Sequence, residues 1–500
     1  MKYLDHFYVD GRFVPARDRP QRVVINPATE EPAGSIAMGT AEDVNAAVVA
    51  ARKAFGTYGR SSREERLEML RRVLALFDER AEEFAQLTTL EMGAPIAFAR
   101  QAQIAGSRAH IADTIRILEH FEFERLAGRT LLAFEPVGVC ALITPWNFPV
   151  LQIVTKVMPA LATGCTVVLK PSEYAPISPM LFAEVLHDAG VPPGVFNLIN
   201  GDGPTVGEAL SSHPDVDMVS FTGSTRAGVQ VAKNAADTVK RVHQELGGNS
   251  ANILMPDVDL EPAVTRGVLG AYRNAGQSCT APTRMLVPRQ LHEEAIGIAK
   301  QAAESVIIGD VNDEATMLGP VMNERQFERV NSLIESAVQE GATLVTGGSG
   351  RPSSLNRGYF VRPTVFGHVT REMTVAREEM FGPVVSLIPY DSVDEAIEIT
   401  NDTPYGLAAY VQAKDLGAAK HVASKLRAGQ VMINHPAWDA SAPFGGFKQS
   451  GNGRECGEFG FEAFLEVKRS ADFTKAEPSS SSIRAQRTAA TSVPTAAWIR

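Results

Sequence analysis

The sequence predicts an α/β protein with parallel sheets covered on both faces, on two observations. Short apolar runs that read as buried strands alternate with amphipathic stretches over most of the length, and 500 residues exceed what one hydrophobic core serves. Two large lobes, or such a pair with a small extension, are therefore expected. The strand runs are Val137 to Ile143, Thr166 to Leu169, Phe196 to Ile199, Met218 to Phe221, Ala251 to Met255, Arg284 to Val287, Val384 to Ile388 and Val431 to Ile433. Between them lie helical stretches such as 62–92. There Leu67, Leu70, Leu74 and Phe77 mark one face, Ser62 and Glu65 form a capping box, and Gly93 with Pro95 stops the helix. From Lys475 onward the chain carries Pro478, four consecutive serines and scattered Thr, Ala and Arg. So few large apolar residues cannot offset the entropy of ordering, and 475–500 is expected to be a disordered tail.

Charge and composition narrow the function. Formal net charge is −10 with acids and bases interleaved, which argues against a nucleic-acid backbone or an anionic membrane as partner and in favour of a small ligand. Cys140, Cys165, Cys279 and Cys456 form no CxxC pair and have no histidine at ligand spacing nearby, so neither a disulfide framework nor a metal site is expected. The start, MKYLDHFYVDGRFV, is not a secretory signal, and no stretch is apolar for long enough to cross a bilayer. These features point to the reducing cytoplasm, where free thiols persist.

Particular residues suggest chemistry. Cys279, in AGQSCTAPTR, falls on a short loop between a helix ending near Gly276 and the strand from Arg284, where reactive groups are often displayed. A lone cysteine is more often a small buried hydrophobe. Glu245 in HQELGGNSANI precedes Gly247 and Gly248, which let a backbone or flat ligand come close, although a solvated turn acid reads the same way. Asn147 in ITPWNFP is bracketed by Pro145 and Pro149, so its amide is either a fixed donor to an oxyanion or an ordinary turn asparagine. Lys170 and Glu173 in VVLKPSE stand just past a strand, where a carboxylate can accept from ribose hydroxyls or simply form a surface pair. Gly223 and Ser224 in VSFTGSTRAG sit at a strand-to-helix turn able to meet a pyrophosphate, without the GxGxxG fingerprint. Glu379 and Phe381 in EEMFGPV are candidates for a nicotinamide ribose contact, or a helix-end acid beside a core ring.

Taken together, PWNFP, KPSE, FTGST, ELGG, GQSC, EEMFGPV, NDTPYGL and PFGGFKQSGNGRE resemble, in this order and spacing, the motifs of the aldehyde dehydrogenase superfamily, from the first residues to about Lys468. The resemblance implies NAD-dependent oxidation of an aldehyde to a carboxylic acid. It makes Cys279 the nucleophile, Asn147 with the Cys279 N–H the oxyanion hole, and Glu245 the general base that activates the hydrolytic water. Lys170 and Glu173 are then the adenosine ribose contacts, Trp146, Gly223 and Ser224 lie at the pyrophosphate, and Gly247, Glu379 and Phe381 surround the nicotinamide riboside. Lys156 and Glu455 correspond to a proton-relay pair. Members that transfer the acyl group to coenzyme A typically lack the glutamate, so Glu245 favours hydrolysis. Glu173 would repel a 2′-phosphate, which favours NAD over NADP. The chain departs from the family pattern at Arg226 and Asn249, both expected to flank the nucleotide.

The implied fold is a Rossmann-like NAD-binding domain (1–120 and 137–247), an α/β catalytic domain (248–463) and small oligomerisation strands (121–136 and 464–470) that add to a partner's sheet in a homodimer or homotetramer. The similarity to bacterial catabolic members makes an aromatic or heteroaromatic semialdehyde, such as the pyridine semialdehyde of nicotine breakdown, one expected substrate. The alternative is a catalytically silent NAD-binding homologue. It is disfavoured because every expected catalytic residue is present.

Overall fold

The computed structural model describes residues 3–471, so the segment 475–500 lies outside the described residues. Among the described residues the strands form four sheets, and each expected run is a strand with small shifts at its ends. An eight-stranded sheet runs in the order Gly451–Asn452, Arg241–Glu245, Met218–Thr222, Val139–Ile143, Thr166–Lys170, Phe196–Leu198, His6–Val9, Arg12–Pro15. Its five central members, from Arg241–Glu245 to Phe196–Leu198, are mutually parallel. A seven-stranded sheet has the order Thr343–Thr346, Thr364–Gly367, Val384–Tyr390, Arg284–Pro288, Ala251–Leu254, Ala408–Gln412, Gln430–Ile433, antiparallel only at the first pair. The runs Val139–Ile143, Thr166–Lys170 and Arg284–Pro288 are buried at every position because helices cover both faces, whereas Gln430–Ile433 is half-buried.

Register places the loops. In the first sheet Ile143 is opposite Lys170 and Phe221, and Thr222 is opposite Glu245, so these strands end along one carboxyl edge. The strand order also reverses there. Val139–Ile143, Thr166–Lys170 and Phe196–Leu198 proceed outward on one side, whereas Met218–Thr222 returns to the other side of Val139–Ile143. A crevice opens at such a reversal, and here it is flanked by the loops after Ile143 and Thr222. In the second sheet Ala251, Arg284 and Ser386 are in register. The loops carrying Gly248, Cys279 and Phe381 therefore approach that sheet at its amino edge.

The stretch 62–92 is two helices, Arg63–Glu79 and Ala81–Met92, broken at Arg80, where ψ is 12°. Phe77 and Phe84 stack across the break at 4.8 Å, and the Arg80 guanidinium is held by Glu83 and Glu184, so tertiary packing re-aims a pattern that reads as continuous. The expected capping box is present: Ser62 Oγ accepts from the Glu65 N–H at 3.2 Å and Glu65 accepts from the Ser62 N–H at 2.7 Å. Gly93 ends the second helix with φ of 77°. The strands Arg241–Glu245 and Ala408–Gln412 stand outside the expected runs. The first is legible only in part because its buried positions are His243, Gln244 and Glu245, polar groups that a hydropathy pattern assigns to the surface.

Among the described residues, 121–135 and 466–471 form a compact unit of their own, separate from 3–120 with 136–465. Its three-stranded sheet orders Leu465–Ser470, Thr130–Pro136 and Glu124–Ala127, with Lys468 paired to Glu135. Leu126 and Val467 are exposed on it. The chain after 445 also returns to the eight-stranded sheet through Gly451–Asn452, a return that the linear division at 248–463 leaves out. No helix of the described residues is long and apolar enough to cross a membrane.

One buried acid ties the helix Ala81–Met92 to the helix Ile177–Asp188. Glu91, fully buried, accepts from the N–H groups of Ile177 and Ser178 and from the Ser178 hydroxyl, closing the start of the helix Ile177–Asp188. Burial raises its carboxyl pKa to about 7. Glu91→Ala strands three donors and should cost roughly 3 kcal/mol, read as a lower urea midpoint. Because the folded pKa is raised, this acid's contribution is complete below the ordinary carboxylate range and is lost as pH rises through about 7. Glu91→Gln should therefore flatten stability between mildly acidic and mildly alkaline pH; an unchanged slope would show that the acid does not titrate there.

Candidate active site

The site lies between the carboxyl edge of the first sheet and the amino edge of the second. Asn147 follows the strand Val139–Ile143 and is held before the helix Pro149–Thr163. Its Nδ2 donates to the Gln277 carbonyl at 3.0 Å, and its own carbonyl accepts from Asn274 Nδ2 at 2.8 Å. Gln277 is itself locked, its Oε1 accepting the Met322 N–H at 2.7 Å. The Cys279 loop is reached through three successive left-handed residues, Asn274 (φ 55°), Ala275 (φ 55°) and Gly276 (φ 72°). Such backbone is costly for non-glycine residues and persists only where neighbours over-determine it, as the Asn147–Asn274–Gln277 network does.

Gly248 lies against the Cys279 carbonyl, where any side chain would collide with that oxygen, so the ELGG turn and the cysteine loop are in direct contact. Cys279 is half-buried. Burial pushes the thiol pKa far up, and the carboxylates of Glu379 and Glu245 push the same way. In this arrangement the sulfur is held as a thiol and needs a base to become a nucleophile.

Glu245 ends its strand with its carboxylate buried. Burial raises its pKa well above the carboxylate range, repulsion from Glu455 adds to this, and Lys156 and Arg454 oppose it. Oε1 is 3.3 Å from His243 Nε2, while Oε2 has no protein partner. His243 stays neutral, its pKa lowered to about 3 by burial and by the positive charge of Lys156 and Arg454. Lys156, fully buried on the helix Pro149–Thr163, pairs with Glu455 and donates to Ser220 Oγ at 3.1 Å. Glu245, Lys156 and Glu455 thus form one buried charge cluster.

The crevice at the strand-order reversal contains the other candidates. Lys170 Nζ, buried, donates to the carbonyls of Pro171 and Gly201, both at 2.7 Å, and stands 3.5 Å from Glu173. Ser224 caps the helix Thr225–Ala235 by accepting from the Ala227 N–H at 3.4 Å, and the Gly223 N–H donates to the Glu245 carbonyl at 3.0 Å. Trp146 meets Phe381 edge to face at 5.4 Å. Glu379 accepts from the Gly248 N–H at 2.9 Å and lies against Gly247; burial raises its carboxyl pKa to about 7. Asn249, expected beside the nucleotide, is buried and ties the Ala376 carbonyl to the Thr283 hydroxyl. His243 and Gln277 were not anticipated. His243 had a signal, since positions i and i+2 of a strand face the same way; Gln277 had none.

A buried thiol, a fixed carboxamide and a buried carboxylate facing a Rossmann-type crevice define an enzyme of acyl chemistry through a covalent thiol adduct. Residues 13–470 match the Aldehyde dehydrogenase family, and the chain belongs to it. It is 50% identical over 469 residues to a 3-succinoylsemialdehyde-pyridine dehydrogenase of Pseudomonas sp., spanning 94% of this chain and 98% of the relative. It is 44% identical to a putative aldehyde dehydrogenase of Staphylococcus epidermidis, spanning 95% and 100%. Among solved structures, a cysteine-to-alanine variant of Pseudomonas syringae aldehyde dehydrogenase C with NAD+ and octanal superposes with TM-score 0.94 at 52% identity, covering 95% of this chain and 98% of that one. The NAD+ complex of a Bacillus cereus aldehyde dehydrogenase superposes with TM-score 0.90 at 39% identity, covering 94% and 97%. The protein is an oxidoreductase that acts on aldehydes.

Proposed function

We propose that this chain oxidises an aldehyde with NAD through a thioester on Cys279 and hydrolyses that thioester with water activated by Glu245. The observation that supports the reading is the contact of the Gly247–Gly248 turn, two residues after Glu245, with both Cys279 and Glu379. NAD, when bound, supplies the hydride acceptor. The residues present fit it: the Gly223–Ser224 helix start and Trp146 flank the crevice for a pyrophosphate, Lys170 and Glu173 suit the adenosine ribose, and Gly247, Glu379 and Phe381 suit the nicotinamide riboside. Cys279 Sγ loses its proton to solvent and adds to the carbonyl carbon, and Asn147 Nδ2 with the Cys279 N–H stabilises the oxyanion. Loss of hydride leaves the thioester. Glu245 then removes a proton from water as the water attacks, and the acid and free thiol are released. Lys156 and Glu455 hold the charge of that cluster and carry its proton away. The division into 1–120 with 137–247 against 248–463 is kept as a proposal, with Gly451–Asn452 returning to the first sheet. The sheet of 121–136 and 464–470, with Leu126 and Val467 exposed, is proposed to pair with a second copy in a dimer or tetramer of the cytoplasm. A monomer by light scattering would remove the assembly alone.

For the substrate we infer a semialdehyde bearing a heteroaromatic ring. The 50% identical relative is named for such a substrate. Phe148, directly after Asn147, meets Phe98 edge to face at 6.2 Å, and the Arg273 guanidinium lies 5.4 Å from the Phe98 ring centre, an aromatic and cationic wall suited to a planar ring. Comparing kcat/KM, by NADH absorbance, for 3-succinoylsemialdehyde-pyridine, benzaldehyde and octanal tests it. A clear preference for octanal overturns the substrate but not the chemistry; no NADH with any aldehyde overturns both. Glu173→Ala should raise KM for NAD about tenfold and narrow the preference over NADP, with kcat little changed, since one charge-assisted bond to a ribose is lost. Equal KM values in parent and variant would take Glu173 out of the site.

A further inference from the structure

We propose that His292, Glu293 and His368 form a binding site for a divalent transition ion such as zinc(II), on the edge of the seven-stranded sheet opposite Cys279. The strand Arg284–Pro288 leaves the sheet at its carboxyl end and turns into the helix His292–Glu304; His368 directly follows the strand Thr364–Gly367. The strand Val384–Tyr390 separates the two in the sheet and supplies the carbonyl of Leu387 to the site. Cys279 precedes Arg284 and so lies toward the other end of the same strand, which keeps this cluster apart from the catalytic cleft.

The donor atoms of the three side chains all lie within 4.8 Å of one another. His368 Nε2 is 3.2 Å from Glu293 Oε1, and His292 Nδ1 is 4.0 Å from the same oxygen. Ligands of a tetrahedral ion with bonds of about 2.1 Å are roughly 3.4 Å apart, so small side-chain rotations complete the set. His292 is already oriented as metal-binding histidines are. Its Nε2–H donates to the Leu387 carbonyl at 3.4 Å, which fixes the tautomer and turns the Nδ1 lone pair toward Glu293. His368 adopts φ of 50°, a left-handed backbone uncommon for a non-glycine residue, and this turn brings its ring to 5.0 Å from that of His292. The nearby cation, Arg289, is engaged by Asp391 at 2.5 and 2.9 Å and so contributes little repulsion.

Two imidazoles and one carboxylate select zinc, cobalt or nickel over magnesium or calcium, which prefer oxygen alone. Glu293 and His368 are exposed, which leaves the fourth position to water. A bound ion would tie the start of a helix to the exit of a strand that is remote in sequence, and so would stabilise the fold without entering the reaction. An ordinary surface pair of His368 with Glu293 is the competing account, and it predicts no ion.

Calorimetric titration of zinc chloride into the untagged full chain carrying Cys279→Ser and Cys456→Ser, which removes the two partly exposed thiols of the described residues, distinguishes the two. One ion per chain is expected, with a rise in the thermal midpoint on binding. His368→Asn, which tolerates the left-handed backbone, and Glu293→Gln should each weaken binding at least about tenfold and remove most of that rise. In the otherwise unmodified chain neither substitution should change aldehyde oxidation without added metal. Absence of a site at 100-fold molar excess of zinc, or equal affinity in parent and both variants, would overturn the proposal.

Discussion

Replacing Cys279 with serine should abolish NADH formation from any aldehyde, with a fall in kcat of at least about 10⁴-fold while the fold and NAD binding persist. The reasoning is electrostatic as much as chemical. Burial and the carboxylates of Glu379 and Glu245 favour the neutral form of the cysteine, so its proton must leave before the sulfur attacks. A serine hydroxyl is a far weaker acid than a thiol and meets the same opposing charges, so no comparable nucleophile forms. Side-chain volume changes little, and Gly248 still packs against the backbone carbonyl at this position. Protein fluorescence on NAD addition separates lost chemistry from lost binding. Residual turnover within tenfold of the parent would mean that another group attacks the aldehyde.

Glu245→Gln should leave the first half of the reaction and stop the second. A rapid burst of NADH approaching one equivalent per site is expected, followed by turnover about 10²- to 10⁴-fold slower than in the parent, because the amide cannot deprotonate water. Steady parental turnover would show that the base has been misassigned. The parent enzyme should carry the matching pH dependence. Since the base is needed as carboxylate and its pKa is raised well above the ordinary range, first by burial and then by Glu455, thioester hydrolysis should weaken as pH falls through that raised value. The acid limb of kcat should therefore lie higher than that of a solvent-exposed glutamate. His243 cannot account for such a limb, because its pKa is lowered to about 3.

The parts of the site that were legible in the sequence share one property: each lies in a short contiguous motif at the end of a regular element. Cys279 after a helix pattern, Asn147 between two prolines and Glu245 before two glycines are local facts, and a strand followed by a turn predicts display at a sheet edge. The break at Arg80 was not local, since it depends on Glu184 and on the stacking of Phe77 with Phe84. The strand Arg241–Glu245 is hard to see for a related reason: its buried face is polar, and only the cluster with Lys156 and Glu455 makes that burial tolerable. Asn249 shows the opposite case. Its motif position pointed to the nucleotide, yet its amide is spent on the Ala376 carbonyl.

By itself, then, the amino-acid order determined the α/β class and the family and supplied the proposed reacting side chains, because periodicity and short motifs act through neighbours along the chain. Only the tertiary structure decided how those side chains are charged and held. The protonated thiol, the raised Glu245, the neutral His243, the lock of Gln277 on Asn147 and the meeting of His292 with His368 all arise from low-polarity surroundings and from partners distant in sequence. Coulomb forces and desolvation act through space, and no linear pattern encodes that distance.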